Sequence, residues 1–196
     1  MKDKKGKICV FAASSNRIDQ CFIDDAYQLG KIMAEHGWDG CNGAGGMGLM
    51  RAVSDGTLDA GGHVTGVIPK FMVDNGWGYD RLPEVIITAD MHERKEMLNS
   101  MSDAVVALPG GCGTLEELLE VITWRQLAII TKPIVLLNTD GFFDPLVAML
   151  ERCVERDFMK PTHACLWTVA ATPLEAVEAI ERQLAEGVSV SDTKFY

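Results

Sequence analysis

Short apolar runs of strand length alternate with amphipathic stretches of helix length along almost the whole chain, and this alternation limits the possible folds more than any other feature. Lys7–Ala12, Trp38–Asn42, His63–Ile68, Glu84–Thr88, Ala104–Leu108, Pro133–Asn138 and Cys165–Val169 read as strands, the second of them weakly. Helices are expected over Ile23–His36, Leu49–Ala60, Met91–Ser102, Thr114–Leu127, Phe143–Arg156 and Pro173–Glu186. The Ala104–Leu108 run is wholly apolar, as the middle of a parallel sheet requires. The expected fold is therefore α/β: a Rossmann-like, doubly wound, mainly parallel sheet with helices on both faces. Its 196 residues fit a single domain with a core over about 7–186 and a mobile tail over 187–196. Lys70–Leu82 has no periodicity and reads as a long loop of the kind that forms lids or binding segments.

A net charge of −10 argues against a nucleic-acid polymer as partner, because such a surface needs a basic stripe. A single small anion is still compatible, since backbone N–H groups and one or two cations can hold it. Six scattered cysteines without a C-x-x-C pair read as reduced thiols, mostly buried, and four dispersed histidines show no metal-ligand spacing. No apolar run approaches the length of a membrane span, and the basic start Met1-Lys2-Asp3-Lys4-Lys5 lacks the features of a signal peptide. A cytoplasmic protein is expected.

In a doubly wound sheet, ligands bind beyond the carboxyl ends of the strands. Three loops fall at that edge: Ala13–Asn16, Gly43–Gly48 and Pro109–Gly113. Gly43-x-Gly45-x-x-Gly48 matches a dinucleotide fingerprint, but no acidic residue ends the next strand, so it reads better as a tight turn lining a nucleotide cleft. Pro109-Gly110-Gly111-Cys112-Gly113-Thr114-Leu115-Glu116-Glu117 joins a buried strand to a helix, where exposed N–H groups and the helix dipole favour a phosphate. Glu117 has two readings. Thr114-x-x-Glu117 has the spacing of a capping box, like Thr172-x-x-Glu175 later in the chain, or Glu117 is a carboxylate presented to the cleft. Asp90 is expected to cap the Met91-His92-Glu93-Arg94-Lys95 helix, with Glu93 completing the box. Arg94 and Lys95 oppose the dipole of that helix start, which an anion nearby would explain.

Met91–Lys95 followed by Pro109-Gly110-Gly111-x-Gly113-Thr114-x-x-Glu117 resembles the LONELY GUY (LOG) family, cytokinin-activating phosphoribohydrolases often labelled lysine decarboxylases. The similarity runs from about Lys7 to Glu186 and includes Glu120-Val121-Ile122-Thr123-Trp124 and Lys132–Gly141. The resemblance implies hydrolysis of the N-glycosidic bond of AMP or an N6-substituted AMP to free base and ribose 5-phosphate, without a cofactor or metal. It implies Arg94 and Glu117 as the catalytic pair, and nucleotide contacts from Lys95, from Gly111, Cys112, Gly113, Thr114, Leu115 and Glu116, and from Thr123. Gly110 and the turn residues Ser14, Ser15, Gly45 and Gly46 join this binding set. Ala12-Ala13-Ser14-Ser15 stands where the family usually has Cys-Gly-Ser-Ser, and Asn42-Gly43-Ala44-Gly45-Gly46 where it has Tyr-Gly-Gly-Gly. Cys112 replaces a common aromatic. These departures bear on base preference. The family tendency is a homodimer or higher homo-oligomer.

Loss of the base builds positive charge on the ribose, which a carboxylate stabilises while it orients or activates water; this role falls to Glu117. Arg94 serves the departing base or the phosphate as a fixed cationic donor. Two rivals remain. A pyridoxal-dependent decarboxylase needs a Schiff-base lysine, for which Lys95 and Lys132 are the candidates. A non-catalytic nucleotide sensor would need the phosphate cradle but not the Arg94–Glu117 pair.

Overall fold

A computed structural model of the chain describes residues 4–187, so the tail expected to be mobile lies, beyond Gly187, outside the described residues. The strands are β1 (Gly6–Phe11), β2 (Trp38–Asn42), β3 (Val64–Pro69), β4 (Glu84–Thr88), β5 (Ala104–Ala107), β6 (Ile134–Leu137) and β7 (Thr168–Ala170). They form one sheet in the order β4-β3-β2-β1-β5-β6-β7, and every neighbouring pair is parallel. The strand order reverses beside β1, which has β2 on one side and β5 on the other; its Cys9 is in register with both Cys41 and Val105. This is the switch point at which such sheets open a crevice.

The helices are α1 (Gln20–Glu35), α2 (Gly48–Asp59), α3 (Lys70–Asp74), α4 (Met91–Ser100), α5 (Cys112–Gln126), α6 (Asp144–Glu155) and α7 (Pro173–Glu186). The two-residue period of the strands divides the core between them. Ile8, Val10, Val106 and Val135 pack with α1, α2 and α7, whereas Cys9, Phe11, Val105 and Leu136 pack with α4, α5 and α6. Helices α1 and α2 nearly touch: a Cβ on Gly30 would lie 2.1 Å from the Val53 carbonyl oxygen, and one on Gly56 would lie 2.0 Å from that of Tyr27.

Several expectations need correction. Strand β2 is not weak in its setting; all five of its residues are buried between β1 and β3 despite Asp39, Gly40 and Asn42. The polar side chains are matched inside: Asn42 donates to Ser54 Oγ at 2.9 Å and accepts from the Ala44 amide at 2.9 Å. The expected loop Lys70–Leu82 opens with α3, a single turn too short to show periodicity, in which Lys70 pairs with Asp74 at 2.8 Å. The segment expected as a strand from Cys165 is a 3-10 turn over Pro161–Cys165 followed by the shorter β7. All six cysteines are free thiols, but only Cys9 and Cys41 are buried. Among the described residues, no helix is long and apolar enough to cross a membrane.

Candidate active site

A cleft of about 710 Å³ opens over the carboxyl ends of β1, β2 and β3, where the starts of α4 and α5 converge. Each start is set locally. Asp90 caps α4, its Oδ1 accepting from the amides of His92 at 2.8 Å and Glu93 at 2.9 Å, while Glu93 reaches back to the Ala89 amide at 2.6 Å. That fixes Arg94 in the first turn, facing inward. Helix α5 begins at Cys112, two residues before the expected Thr114, with Gly111 as its N-cap and no side-chain cap. Glu117 therefore lies in the second turn and caps nothing. The spacing does cap at α7, where Thr172 Oγ1 accepts from Glu175 N at 3.2 Å and Glu175 accepts from Ala171 N, one residue before the cap, at 2.9 Å, as Glu93 does at α4.

Arg94 Nη2 and Glu117 Oε1 meet at 3.2 Å on the cleft floor, with side chains 7% and 8% exposed. Arg94 Nε also donates to the Val67 carbonyl at 3.2 Å, which fixes the guanidinium plane against β3. Burial pushes the Glu117 carboxyl above its ordinary value; Arg94 opposes that shift and neighbouring Glu116 adds to it, and the net direction is upward. Gly43 is small because Arg94 lies across it, a Cβ there falling 1.9 Å from Nη2. Gly110 is filled similarly by Thr114, whose Oγ1 would be 2.2 Å from a Cβ. Gly111 and Gly113 differ: neither has a left-handed φ, and nothing lies within 4 Å of a Cβ at either. No packing or backbone demand explains them, and both leave the first amides of α5 open to the cleft.

Of the expected site residues, Ser14, Ser15, Gly45, Gly46, Arg94, Gly111, Gly113, Thr114, Glu116 and Glu117 line the cleft. Lys95, Gly110, Cys112, Leu115 and Thr123 do not. Lys95 bridges α4 to α5 instead, its Nζ 2.5 Å from Glu116 and 3.0 Å from Glu120. Burial pulls the Lys95 ammonium down, but its hydrogen bonds to Glu116 and Glu120 outweigh this and hold it above its usual value. Leu115 packs into the core, and Thr123 is exposed, bonded to the Leu119 carbonyl at 2.8 Å. Sequence reasoning missed the apolar wall made by Met47, Met50, Ile68, Met72 and Trp77. Its one signal was the aperiodic segment after Pro69. A second hollow of about 650 Å³ between α1 and α2 holds Arg51, Asp55, Asp59 and Arg81, but Arg81 is spent on Asp55 at 2.5 Å and Asp59 at 2.6 Å. It contains neither the buried pair nor the open glycines.

A family model described as "Possible lysine decarboxylase" matches residues 50–180. A probable cytokinin riboside 5′-monophosphate phosphoribohydrolase of Oryza sativa subsp. japonica is 42% identical over 175 residues, 89% of this chain and 72% of its own. A cytokinin riboside 5′-monophosphate phosphoribohydrolase of Arabidopsis thaliana is 43% identical over 180 residues, covering 92% and 84%. The chain belongs to the LOG family. Among solved structures, the molybdenum cofactor carrier protein of Chlamydomonas reinhardtii is similar at a TM-score of 0.71 and 26% identity, over 93% of this chain and 99% of that one.

Within this LOG-family fold, the cleft does not suit the pyridoxal phosphate that a lysine decarboxylase would need. Among the described residues, no lysine lines it. Lys95 is held between two glutamates, and Lys132, before β6 at the opposite end of the sheet, is bonded to the Asn99 and Ser102 carbonyls and to Ser102 Oγ at 3.2 Å. Among the described residues, no group of three His, Cys, Asp or Glu side chains is arranged to hold a metal ion.

Proposed function

We propose that this chain hydrolyses the N-glycosidic bond of a purine nucleoside 5′-monophosphate, AMP or an N6-substituted AMP, releasing free base and ribose 5-phosphate. The observation that carries this reading is the buried Arg94–Glu117 pair at 3.2 Å, beside a helix start whose glycines are open to a ligand. The phosphate rests on the α5 amides from Gly111 to Thr114, where the helix dipole favours an anion. This places the ribose over Glu117. The ionised carboxylate stabilises the positive charge that grows on C1′ as the bond lengthens, and it takes a proton from the attacking water. Arg94 keeps Glu117 oriented and supplies a cationic donor to the electron-rich base, which departs with the electron pair of the C1′–N bond and takes up at a ring nitrogen the proton released by the attacking water. A carboxyl made more basic by burial is a better proton acceptor than a solvated one.

The names carried by the relatives support the same reaction. A pure binding module would have no need of a buried carboxylate whose charge burial disfavours. We assign the chain to the cytoplasm, where its six free thiols would stay reduced. We also assign it a homodimeric or higher state, built on the outward stripe of α5 formed by Leu119, Thr123 and Leu127, all exposed and four residues apart. Thr123, which does not line its own cleft, belongs to that face. The direct test is to incubate the protein with AMP and follow both products. Adenine and ribose 5-phosphate should appear in equal amounts, and binding of AMP without either product would reduce the protein to a sensor.

A further inference from the structure

The lining of the cleft is divided by chemistry. Ser14, Ser15, Arg94, Thr114, Glu116 and Glu117 come from the end of β1 and the starts of α4 and α5. Beside them, the turn after β2, the first turn of α2, the end of β3 and the segment after it contribute the wall of Met47, Met50, Ile68, Met72 and Trp77, with no charged or amide side chain. Trp77 is its one aromatic member, and it is 52% exposed. A large indole left half in solvent on a cleft wall gains little for the fold, and its exposed ring surface is free to meet a ligand.

The segment that carries Trp77 is anchored although α3 buries none of its residues. Gly78 bridges to Gly45 in antiparallel fashion, Gly46 N donates to the Trp77 carbonyl at 3.4 Å, and Trp77 N donates to Met72 O at 3.1 Å. Just beyond, a charged clasp ties the segment to α2. Asp55 accepts from Tyr79 Oη and from Arg81 Nη1, and Arg81 Nη2 bonds Asp59 at 2.6 Å. The Arg51 guanidinium lies 5.5 Å from the Tyr79 ring centroid, and Leu82 is buried against Ala44, Val64 and Ile68. Trp77 is thus held on both sides.

We propose that Trp77 is the platform on which the nucleobase stacks, and hence the residue that sets base preference. The inference rests on the nucleotide reading above and deepens it. With phosphate and ribose on the polar side, the base falls on the thioether and indole wall, where side chains sense its π-area and shape rather than its hydrogen-bonding edge. Purines are therefore preferred to pyrimidines, adenine and guanine are poorly separated by side chains, and an apolar substituent on the base is accepted. The clasp residues Asp55 and Arg81 are positioning residues that act through Trp77.

The test compares wild type, Trp77→Ala, Trp77→Phe and Arg81→Ala with AMP, GMP and CMP as substrates and ribose 5-phosphate as inhibitor. Trp77→Ala should raise KM for AMP about 5- to 100-fold, as loss of one base–aromatic stack does, with kcat and the inhibition constant of ribose 5-phosphate nearly unchanged. The preference for AMP over CMP should collapse, Trp77→Phe should retain most of it, and Arg81→Ala should fall between. AMP should quench tryptophan emission in wild type and not in Trp77→Phe. An unchanged AMP-to-CMP ratio in Trp77→Ala, or an equal loss of ribose 5-phosphate binding, overturns the proposal. The quenching experiment needs no turnover, so it decides for or against stacking even if wild type releases no base, a result that would overturn the hydrolase reading alone.

Discussion

Gly43, Arg94 and Glu117 act as one unit. The guanidinium occupies the space that a side chain at 43 would need, so the smallest addition there displaces a group to which we assign catalysis and which the mutation does not itself remove. Gly43→Ala should lower kcat by about 10²-fold, the cost of shifting a reacting group by about an ångström, and steady-state kinetics with AMP would measure it. The pH profile reports on Glu117 directly. On the proposed mechanism the working form is the ionised carboxylate, and burial raises its pKa, so activity should be lost as pH falls through a value above the ordinary 4.5. Arg94 pulls that pKa down, so Arg94→Gln should move the acidic limb of kcat/KM further upward while reducing its height. A limb that stays put would mean that another group titrates.

At the scale of elements, two N-caps make a matched pair. Asp90 holds the start of α4, which carries Arg94, and Thr172 holds the start of α7, which carries nothing for the site. Replacing either by Ala should cost about 0.5–2 kcal/mol in urea unfolding. Only Asp90→Ala should also reduce turnover, since only that helix start orients a side chain to which we assign catalysis. The caps at Asp90 and Thr172 were legible because a capping box has a fixed spacing and a mechanism. The same rule applied at Thr114 misleads: the helix takes Gly111 as its N-cap and begins two residues early, so Glu117 falls in the second turn and faces the cleft. The apolar wall escaped because Met72 and Trp77 follow a single helical turn and an open segment, held by contacts with Gly45, Gly46 and Asp55 that are distant in sequence.

Across the whole molecule, strand–helix alternation was enough to read the architecture, and the apolar run at Ala104–Leu108 was enough to put β5 inside the sheet. It was not enough to value β2, whose Asp39 and Asn42 are tolerated only because Lys4, the His63 amide, Ser54 and the Ala44 amide meet them. Assembly was legible only as a family tendency, because an exposed leucine on a helix has the same pattern whether a partner covers it or water does. If α5 forms the dimer face, Leu119→Glu combined with Leu127→Glu should yield a monomer by light scattering, with the far-UV spectrum unchanged. The central claim concerns one carboxylate, and Glu117→Gln tests it with little change of shape. Single-turnover release of adenine from AMP should fall by about 10²–10⁴ in this variant, with AMP binding by calorimetry retained and the melting temperature little altered. Adenine release at the wild-type rate from Glu117→Gln would contradict the account.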